Sequence, residues 1–149
     1  MTIFQFKFDK ILSIKEQEKE EVYYNYQNSI HSFEKAAEKL YETLKKKEDL
    51  ETYQADQLVK GFAVQEIRHF QTFIMNMDKT ISYYQDQVMK ARNKMKWLEQ
   101  KFSEKNMEVK QFEKIKENDA SAYKLEQQKE ENKMLDELSV MKFVNREIR

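Results

Sequence analysis

The chain has almost none of the residues that turn a backbone. Its 149 residues include one glycine, Gly61, and no proline, whereas average usage would give roughly 18 of the two together. Because glycine and proline mark most turns, such a chain has very few places at which to reverse direction. Glu, Lys, Gln, Leu and Met are abundant, and all of them favour helix. The sequence therefore predicts an all-α fold made of few, long helices.

Composition also narrows the function. Apolar residues make up 40% of the chain, and its 27 basic and 27 acidic residues are interspersed. The apolar share is too high for a disordered polar tail, and a net charge of zero removes the attraction that drives nucleic-acid binding. The absence of cysteine fits a reducing compartment. No apolar run approaches the ~20 residues of a membrane span, and the first residues do not resemble a signal peptide. We therefore expect a cytoplasmic protein with no nucleic-acid partner and no membrane insertion.

The second half of the chain carries the clearest periodicity. From Ile67 onward, apolar residues recur at alternating spacings of three and four, which is the seam pattern of a coiled coil. The pattern skips Lys105 and then resumes. Its members are Ile67, Phe70, Ile74, Met77, Ile81, Tyr84, Val88, Ala91, Met95, Leu98, Phe102, Val109 and Phe112.

The pattern before Gly61 is less regular. Apolar residues in one phase alternate with polar residues in the same phase, among them Lys15, Lys47 and Gln54. We predict a continuous first helix whose seam is weak at both ends. The apolar members are Phe8, Leu12, Val22, Tyr26, Ile30, Phe33, Ala37, Leu40, Leu44 and Leu58.

Folding the chain back at Gly61 brings the two patterns into register, with Val22 facing Phe102 and Leu44 facing Ile81. We predict that Gly61 follows the first helix in the left-handed conformation that glycine adopts cheaply. The alternative is a glycine inside one unbroken helix, at a cost of about 1 kcal/mol.

The predicted fold is a long antiparallel two-helix coiled-coil hairpin that forms a single domain. Helix 1 would cover about 8–60, the turn about 61–63, and a longer helix 2 about 64–140. The predicted core consists of Val22, Tyr26, Ile30, Phe33, Leu40, Leu44, Ile74, Ile81, Val88, Met95, Leu98 and Phe102.

Both ends of the chain carry apolar residues that have no facing helix in this hairpin. Phe4 and Phe6 precede the first helix, and Leu138 and Phe143 follow the paired part of the second. Exposed apolar residues of this kind often mark a partner surface. The alternative is that the two terminal segments pack on each other.

The residues of a catalytic site are missing. A two-helix hairpin has no cleft, and the chain has no phosphate-binding loop and no nucleophile motif. His31 and His69 are several turns apart in the predicted register and do not share a metal. Lysines and glutamates alternate at helical spacing, as in Lys35/Glu38, Lys39/Glu42 and Glu42/Lys46, which predicts solvent-exposed ion pairs. We expect no enzyme activity, no metal and no cofactor.

Aromatic residues outside the seam point instead to binding. Phe73 flanks the seam residue Ile74 and lies one turn from Phe70 and Met77. It widens the apolar strip on helix 2 beyond what a two-helix seam needs. This strip is either a partner surface or a broadened seam.

Three stretches resemble the FliJ family, the small coiled-coil proteins of the bacterial flagellar type III export apparatus, and in particular its versions in Bacillus and its relatives. They are FQFKFDKILSIKEQEKEE near the start, SFEKAAEKLYE in helix 1, and VKGFAVQEIRHFQTFIMNMDKTISYYQ around the turn. EKNMEVKQFEKIKE is similar but less distinctive. The resemblance covers nearly the whole chain, and the order of the stretches is more specific than any one of them.

The resemblance implies a stalk at the inner face of the cell membrane at the flagellar base. Proteins of this family form an antiparallel two-helix coiled coil that sits in the central hole of the hexameric export ATPase and promotes ring assembly. They also contact the cytoplasmic region of the export gate protein, and some bind export chaperones. A role in protein transport for flagellum biogenesis and motility follows, with a monomer in isolation.

The same resemblance assigns residues to partners. The gate-contacting surface would comprise Phe73, Met77, Thr80 and Tyr84 of helix 2, with Lys39, Thr43, Lys46 and Leu50 as helix 1 counterparts. The end of the hairpin that carries both termini would enter the ATPase ring through Phe4, Phe6, Leu135, Leu138, Met141 and Phe143. The alternative functions are an export chaperone or substrate adaptor, and a structural coiled coil that dimerises.

Overall fold

The computed structural model describes residues 3–148, with side chains for 3–147, and these residues form two helices packed against each other. α1 comprises Asp9–Lys60 and α2 comprises Val64–Ile148. They contain 52 and 85 residues, and no strand occurs in the described range. The predicted all-α hairpin with a longer second helix is confirmed.

The reversal lies at Gly61. This residue directly follows α1 and has a φ of 95°, in the left-handed region that strains any residue with a Cβ. Phe62 and Ala63 complete the connection, and the Ile67 amide donates a hydrogen bond to the Ala63 carbonyl at 3.1 Å. The alternative of one unbroken helix through Gly61 is wrong.

Local interactions explain where α1 begins, and the sequence explains why α2 extends so far. α1 begins at Asp9, whose carboxylate suits the positive end of the helix dipole, and the Asp9 amide donates to the Phe6 carbonyl at 3.2 Å. α2 continues to Ile148, beyond the expected end near residue 140. No glycine or proline follows Gly61, so nothing in the sequence terminates the helix earlier.

The hairpin divides into two compact units, each containing a part of both helices. The turn unit comprises Glu20–Ser103. The terminal unit comprises Met1–Lys19 and Glu104–Arg149. The two units are described separately below.

Cross-helix contacts in each unit have an antiparallel register. In the turn unit, Lys47 Nζ lies 2.6 Å from Asp78 Oδ1, and the rings of Tyr23 and Phe102 are 5.3 Å apart. In the terminal unit, Lys105 Nζ lies 3.0 Å from Glu18 Oε2. The two members of each pair are at nearly equal sequence distances from the Gly61 turn. The pairing therefore follows the register that the sequence predicts.

The α2 side of the seam coincides with the predicted apolar series. Ile81, Leu98 and Val109 are buried. Because only one partner helix covers the seam, its other predicted members are half-buried: Ile74, Val88, Met95 and Phe102.

On α1, the residue that packs in the seam is at several turns the one directly before the predicted residue. Ser29 is buried and donates a hydrogen bond to the Tyr26 carbonyl at 2.6 Å, while its predicted neighbour Ile30 is half-buried. Thr43 is half-buried, whereas Leu44 is 42% exposed. A strict 3.5-residue spacing brings these polar residues into the seam, so choosing the apolar neighbour shifts the predicted phase.

The remaining predicted core residues of α1 lie along the same seam. Val22, Tyr26, Phe33 and Leu40 are all half-buried. Each therefore has one side against α2 and one side toward solvent, as expected for a two-helix seam.

Candidate partner-binding surfaces

The four α2 residues predicted to contact the export gate line one groove. Phe73, Met77, Thr80 and Tyr84 lie along an open groove of about 330 Å³ in the turn unit. The other lining residues are Thr43 and Lys46 of α1, together with Asn76 of α2. The predicted residues of both helices therefore contribute to the same concave surface.

The α2 side of the groove combines apolar and polar side chains. Phe73 is 53% exposed, whereas Met77 and Tyr84 are half-buried at the seam. The Thr80 hydroxyl donates to the Asn76 carbonyl at 3.2 Å, and the Thr43 hydroxyl donates to the Lys39 carbonyl at 2.8 Å. Both hydroxyls are bonded to backbone, so a partner would meet apolar side chains together with the Asn76 amide and the Lys46 ammonium.

The residues that line the groove differ from the predicted set at Asn76, Leu50 and Lys39. Asn76 lines the groove but was not predicted, although it lies one helical turn from Phe73 and Thr80 and that spacing identifies it. Leu50, a predicted α1 counterpart, does not line this groove. Lys39 lines an adjoining one.

The adjoining groove continues from the first at Tyr84. It has a volume of about 280 Å³, and its α2 wall consists of Tyr83, Tyr84 and Gln87. Its α1 wall consists of Ser32, Lys35, Ala36 and Lys39. The rings of Tyr83 and Tyr84 are 5.6 Å apart, so an aromatic pair stands at the junction of the two grooves.

The predicted ATPase-contacting residues near the start of the chain are not unpaired. Phe6 is only 8% exposed and forms a buried cluster with Leu12 and Val109. The rings of Phe4 and Tyr123 are 5.4 Å apart, and those of Phe8 and Phe112 are 6.2 Å apart. The expectation that Phe4 and Phe6 are exposed is therefore wrong.

Charges reinforce this packing in the terminal unit. Lys116 Nζ lies 5.9 Å from the centre of the Phe6 ring and 3.3 Å from Asp9 Oδ1. The first residues thus pack against the middle of α2. The alternative that the two terminal segments pack on each other is therefore met at Phe4 and Tyr123, whereas the apolar residues near the end of α2 stay exposed.

The predicted residues near the end of α2 are solvent-exposed. Leu135, Leu138, Met141 and Phe143 are between 51% and 63% exposed. Every residue from 131 to 147 is exposed. This end of α2 therefore presents apolar side chains that nothing in the described chain covers.

An ionic cluster crosses the seam of the terminal unit. Lys15 Nζ lies 3.2 Å from Glu108 Oε2, and Lys105 Nζ lies 3.0 Å from Glu18 Oε2. Within each helix, Lys15 and Glu18 are 3.6 Å apart and Lys105 and Glu108 are 3.5 Å apart. Two of the lysines that interrupt the apolar seam, Lys15 and Lys105, are therefore matched by two glutamates.

The cluster shifts the ionisation of its members. Lys105 lowers the pKa of Glu18 below its ordinary value, with a smaller effect from Lys15. Lys15 lowers the pKa of Glu108, and Lys105 adds to that shift. Glu18 in turn raises the pKa of Lys105. The cluster therefore favours the charged form of all three groups.

The described residues contain no group of three or more His, Cys, Asp or Glu side chains that could hold a metal ion. His31 lies 3.9 Å from Glu34 on a solvent-exposed face. Within the same range, no helix is both long and apolar enough to cross a lipid bilayer.

Comparison with known proteins identifies the family. The model of the family described as "Flagellar FliJ protein" matches residues 4–147. The flagellar FliJ protein of Bacillus subtilis (strain 168) is 43% identical over 141 residues, covering 95% of this chain and 96% of that protein. No solved structure shows a significant match. The chain belongs to the flagellar FliJ family.

Proposed function

We propose that this protein is a non-enzymatic component of the flagellar type III export apparatus. It acts in the cytoplasm at the inner face of the membrane, as the central stalk of the hexameric export ATPase. In this role it promotes assembly of the ATPase ring and links the ring to the export gate. Family membership supports the flagellar role, and the long helical hairpin suits a stalk.

The observation that carries the ATPase contact is the uncovered end of α2. Its apolar residues Leu135, Leu138, Met141 and Phe143 are half or more exposed. Exposed apolar side chains that cluster in one segment are a common mark of a protein interface. Because Phe4 and Phe6 pack within the terminal unit, we assign the ring contact to the α2 residues alone.

The observation that supports the gate contact is the groove of the turn unit. Phe73, Met77, Thr80 and Tyr84 line it together, and its concave, partly apolar surface suits a helix or an extended segment of a partner. The proposed ATPase and gate contacts lie in different units of the hairpin. One molecule therefore has a separate surface for each partner.

The test of the ATPase contact uses the purified export ATPase. ATP hydrolysis is measured against ATPase concentration, with and without this protein. We expect the wild-type protein to shift ring assembly and activity to lower ATPase concentrations, and Leu135→Ser/Leu138→Ser to lose that effect. Val59→Ser/Val64→Ser is the matched control, since Val59 and Val64 are 89% and 69% exposed beside the turn.

The gate contact is tested by titrating the purified cytoplasmic region of the export gate with the wild-type protein and with Phe73→Ala. We expect weaker binding by Phe73→Ala and unchanged binding by Tyr53→Ala, which removes an aromatic side chain of equal exposure outside the groove. If the protein affects neither the ATPase nor the gate but binds export chaperones, the adaptor function replaces the stalk. A stable homo-oligomer with no such binding would indicate a structural coiled coil.

A further inference from the structure

The two grooves of the turn unit adjoin at Tyr84, which lines both. We refer to the combined surface as the Tyr84 groove. It extends along α1 from Ser32 to Lys46 and along α2 from Phe73 to Gln87. Each range contains fifteen residues and spans about 21 Å from first to last, which is enough to hold several turns of a partner helix.

The two walls of the Tyr84 groove differ in chemistry. The α1 wall carries three cations, Lys35, Lys39 and Lys46. The α2 wall combines the apolar and aromatic side chains of Phe73, Met77, Tyr83 and Tyr84 with the polar side chains of Asn76, Thr80 and Gln87. No Asp or Glu lines either groove. This is a local excess of positive charge in a chain whose net charge is zero.

Within the part of the chain that the structure describes, the three lysines have no acidic partner. Among the described residues, no carboxylate lies within 4.0 Å of Lys35, Lys39 or Lys46, so the predicted pairs Lys35/Glu38, Lys39/Glu42 and Glu42/Lys46 do not form. The neighbouring Lys47, by contrast, lies 2.6 Å from Asp78. The positive charge of the α1 wall is therefore available to a partner.

We propose that the Tyr84 groove binds an acidic amphipathic helix, with carboxylates along one side and apolar residues along the other. This inference rests on the proposed function, since it defines the chemistry of the segment that occupies the gate-contacting surface. The three lysines are spaced four and seven residues apart, about 6 and 10 Å along the helix axis. Carboxylates one and two turns apart on the bound helix match those intervals.

The occupant follows from complementarity of both walls. Opposite charges steer a partner into the groove and fix its orientation. Tyr83 and Tyr84 each offer an apolar ring and a polar hydroxyl, a combination that suits a protein interface. A basic or a purely apolar segment would leave the three ammonium groups without a partner.

Synthetic helical peptides test the inference without any assumption about the natural partner. One peptide carries Leu on one face and Glu along the adjacent face, and its matched control has Gln in place of each Glu. Binding to the full chain is followed by fluorescence anisotropy at low and high salt. We expect the Glu peptide to bind roughly tenfold more tightly at low salt, with a preference that shrinks as salt screens the charges.

Charge variants locate the site. Lys35→Gln/Lys39→Gln/Lys46→Gln should abolish the preference for Glu over Gln. Lys10→Gln/Lys60→Gln/Lys110→Gln removes the same charge from exposed positions outside the groove and should keep that preference. Circular dichroism establishes that both variants retain the helical fold.

Several outcomes would overturn the inference. Equal binding of the Glu and Gln peptides excludes charge recognition in the groove. A preference for the Glu peptide that persists in the groove variant, Lys35→Gln/Lys39→Gln/Lys46→Gln, excludes it as well. If sedimentation shows self-association that only the groove variant loses, the occupant is a second copy of this chain. If the gate region binds wild type and groove variant equally, the inference fails while the proposed gate contact stands. Failure of the gate region to bind at all overturns the gate contact instead.

Discussion

Lys105 of α2 donates a hydrogen bond to Glu18 of α1 at 3.0 Å, across the part of the seam where both helices lack apolar residues. Together with Lys15 and Glu108 they form the ionic cluster of the terminal unit. All four side chains are partly exposed, between 27% and 39%. Pairs of this kind contribute little net stability in water, but charged seam residues favour one register over shifted ones.

We expect the cluster to make the protein acid-sensitive. Lys105 and Lys15 lower the pKa of Glu18 and Glu108 in the folded state. The resulting stability is present above the unfolded carboxylate pKa and is lost as the pH falls through the lower folded pKa. As the pH is lowered from neutral to acidic, the midpoint temperature of thermal unfolding should fall less for Glu18→Gln/Glu108→Gln than for wild type.

The control for acid sensitivity is Glu113→Gln/Glu117→Gln, which removes two exposed carboxylates of α2 outside the cluster. This variant should follow the wild-type pH profile. An identical fall for the cluster variant and the control would contradict a role for the cluster in acid sensitivity.

Gly61 is the position at which a substitution should act through the backbone alone. Its φ is 95°, and a Cβ placed there would meet no atom within 4 Å. We expect Gly61→Ala to lower the free energy of unfolding by about 1–2 kcal/mol, the cost of a left-handed conformation for a residue with a Cβ. Urea denaturation followed by circular dichroism measures it.

The comparison variant at the turn is Gly61→Asn, because Asn adopts left-handed conformations more readily than Ala. It should cost less than Gly61→Ala. A loss that is equal for both variants would mean that the conformation of Gly61 does not limit stability.

Packing of the first residues on α2 should stabilise the terminal unit. Phe6 is 8% exposed against Leu12 and Val109, and truncating a buried Phe costs about 3–5 kcal/mol. The cluster is small, so we expect about 3 kcal/mol for Phe6→Ala, seen as faster hydrogen exchange at residues 109–123. Phe143→Ala, at a position that is 63% exposed, should leave exchange unchanged, and equal effects would contradict the assignment.

The seam register can be tested by a matched pair of truncations. Ile81 is 7% exposed, whereas Leu44 is 42% exposed at the margin of the seam. We expect Ile81→Ala to cost about 3 kcal/mol and Leu44→Ala at most about 1 kcal/mol, both measured by urea denaturation. A larger loss for Leu44→Ala would restore Leu44 to the core, where the apolar pattern of the sequence places it.

These residues show how far the sequence predicts the fold. The α2 seam is predicted correctly because its members are apolar at nearly every turn. The α1 seam includes Ser29 and Thr43, and hydrophobicity alone selects the apolar neighbours Ile30 and Leu44. Periodicity shows which face of a helix is apolar, but packing decides which residues at the edge of that face are covered.

The predicted site residues likewise include some whose surroundings follow from helix geometry and some whose surroundings do not. Phe73, Met77, Thr80 and Tyr84 share a helical face, so their common groove follows from helix geometry. The burial of Phe6 could not be predicted, since it lies outside the helices and packs against Val109, far along the chain. Non-helical segments have no periodicity that indicates their partners.

The single turn at Gly61 also has a consequence for the order of folding. Cross-helix contacts grow more distant in sequence away from the turn, reaching 87 residues for Glu18 and Lys105 and 107 for Asp9 and Lys116. Closing a longer loop costs more chain entropy and slows folding. We therefore expect the hairpin to zip from Gly61 outward. The terminal unit, with its packed aromatic residues, would form last during folding and open first during unfolding.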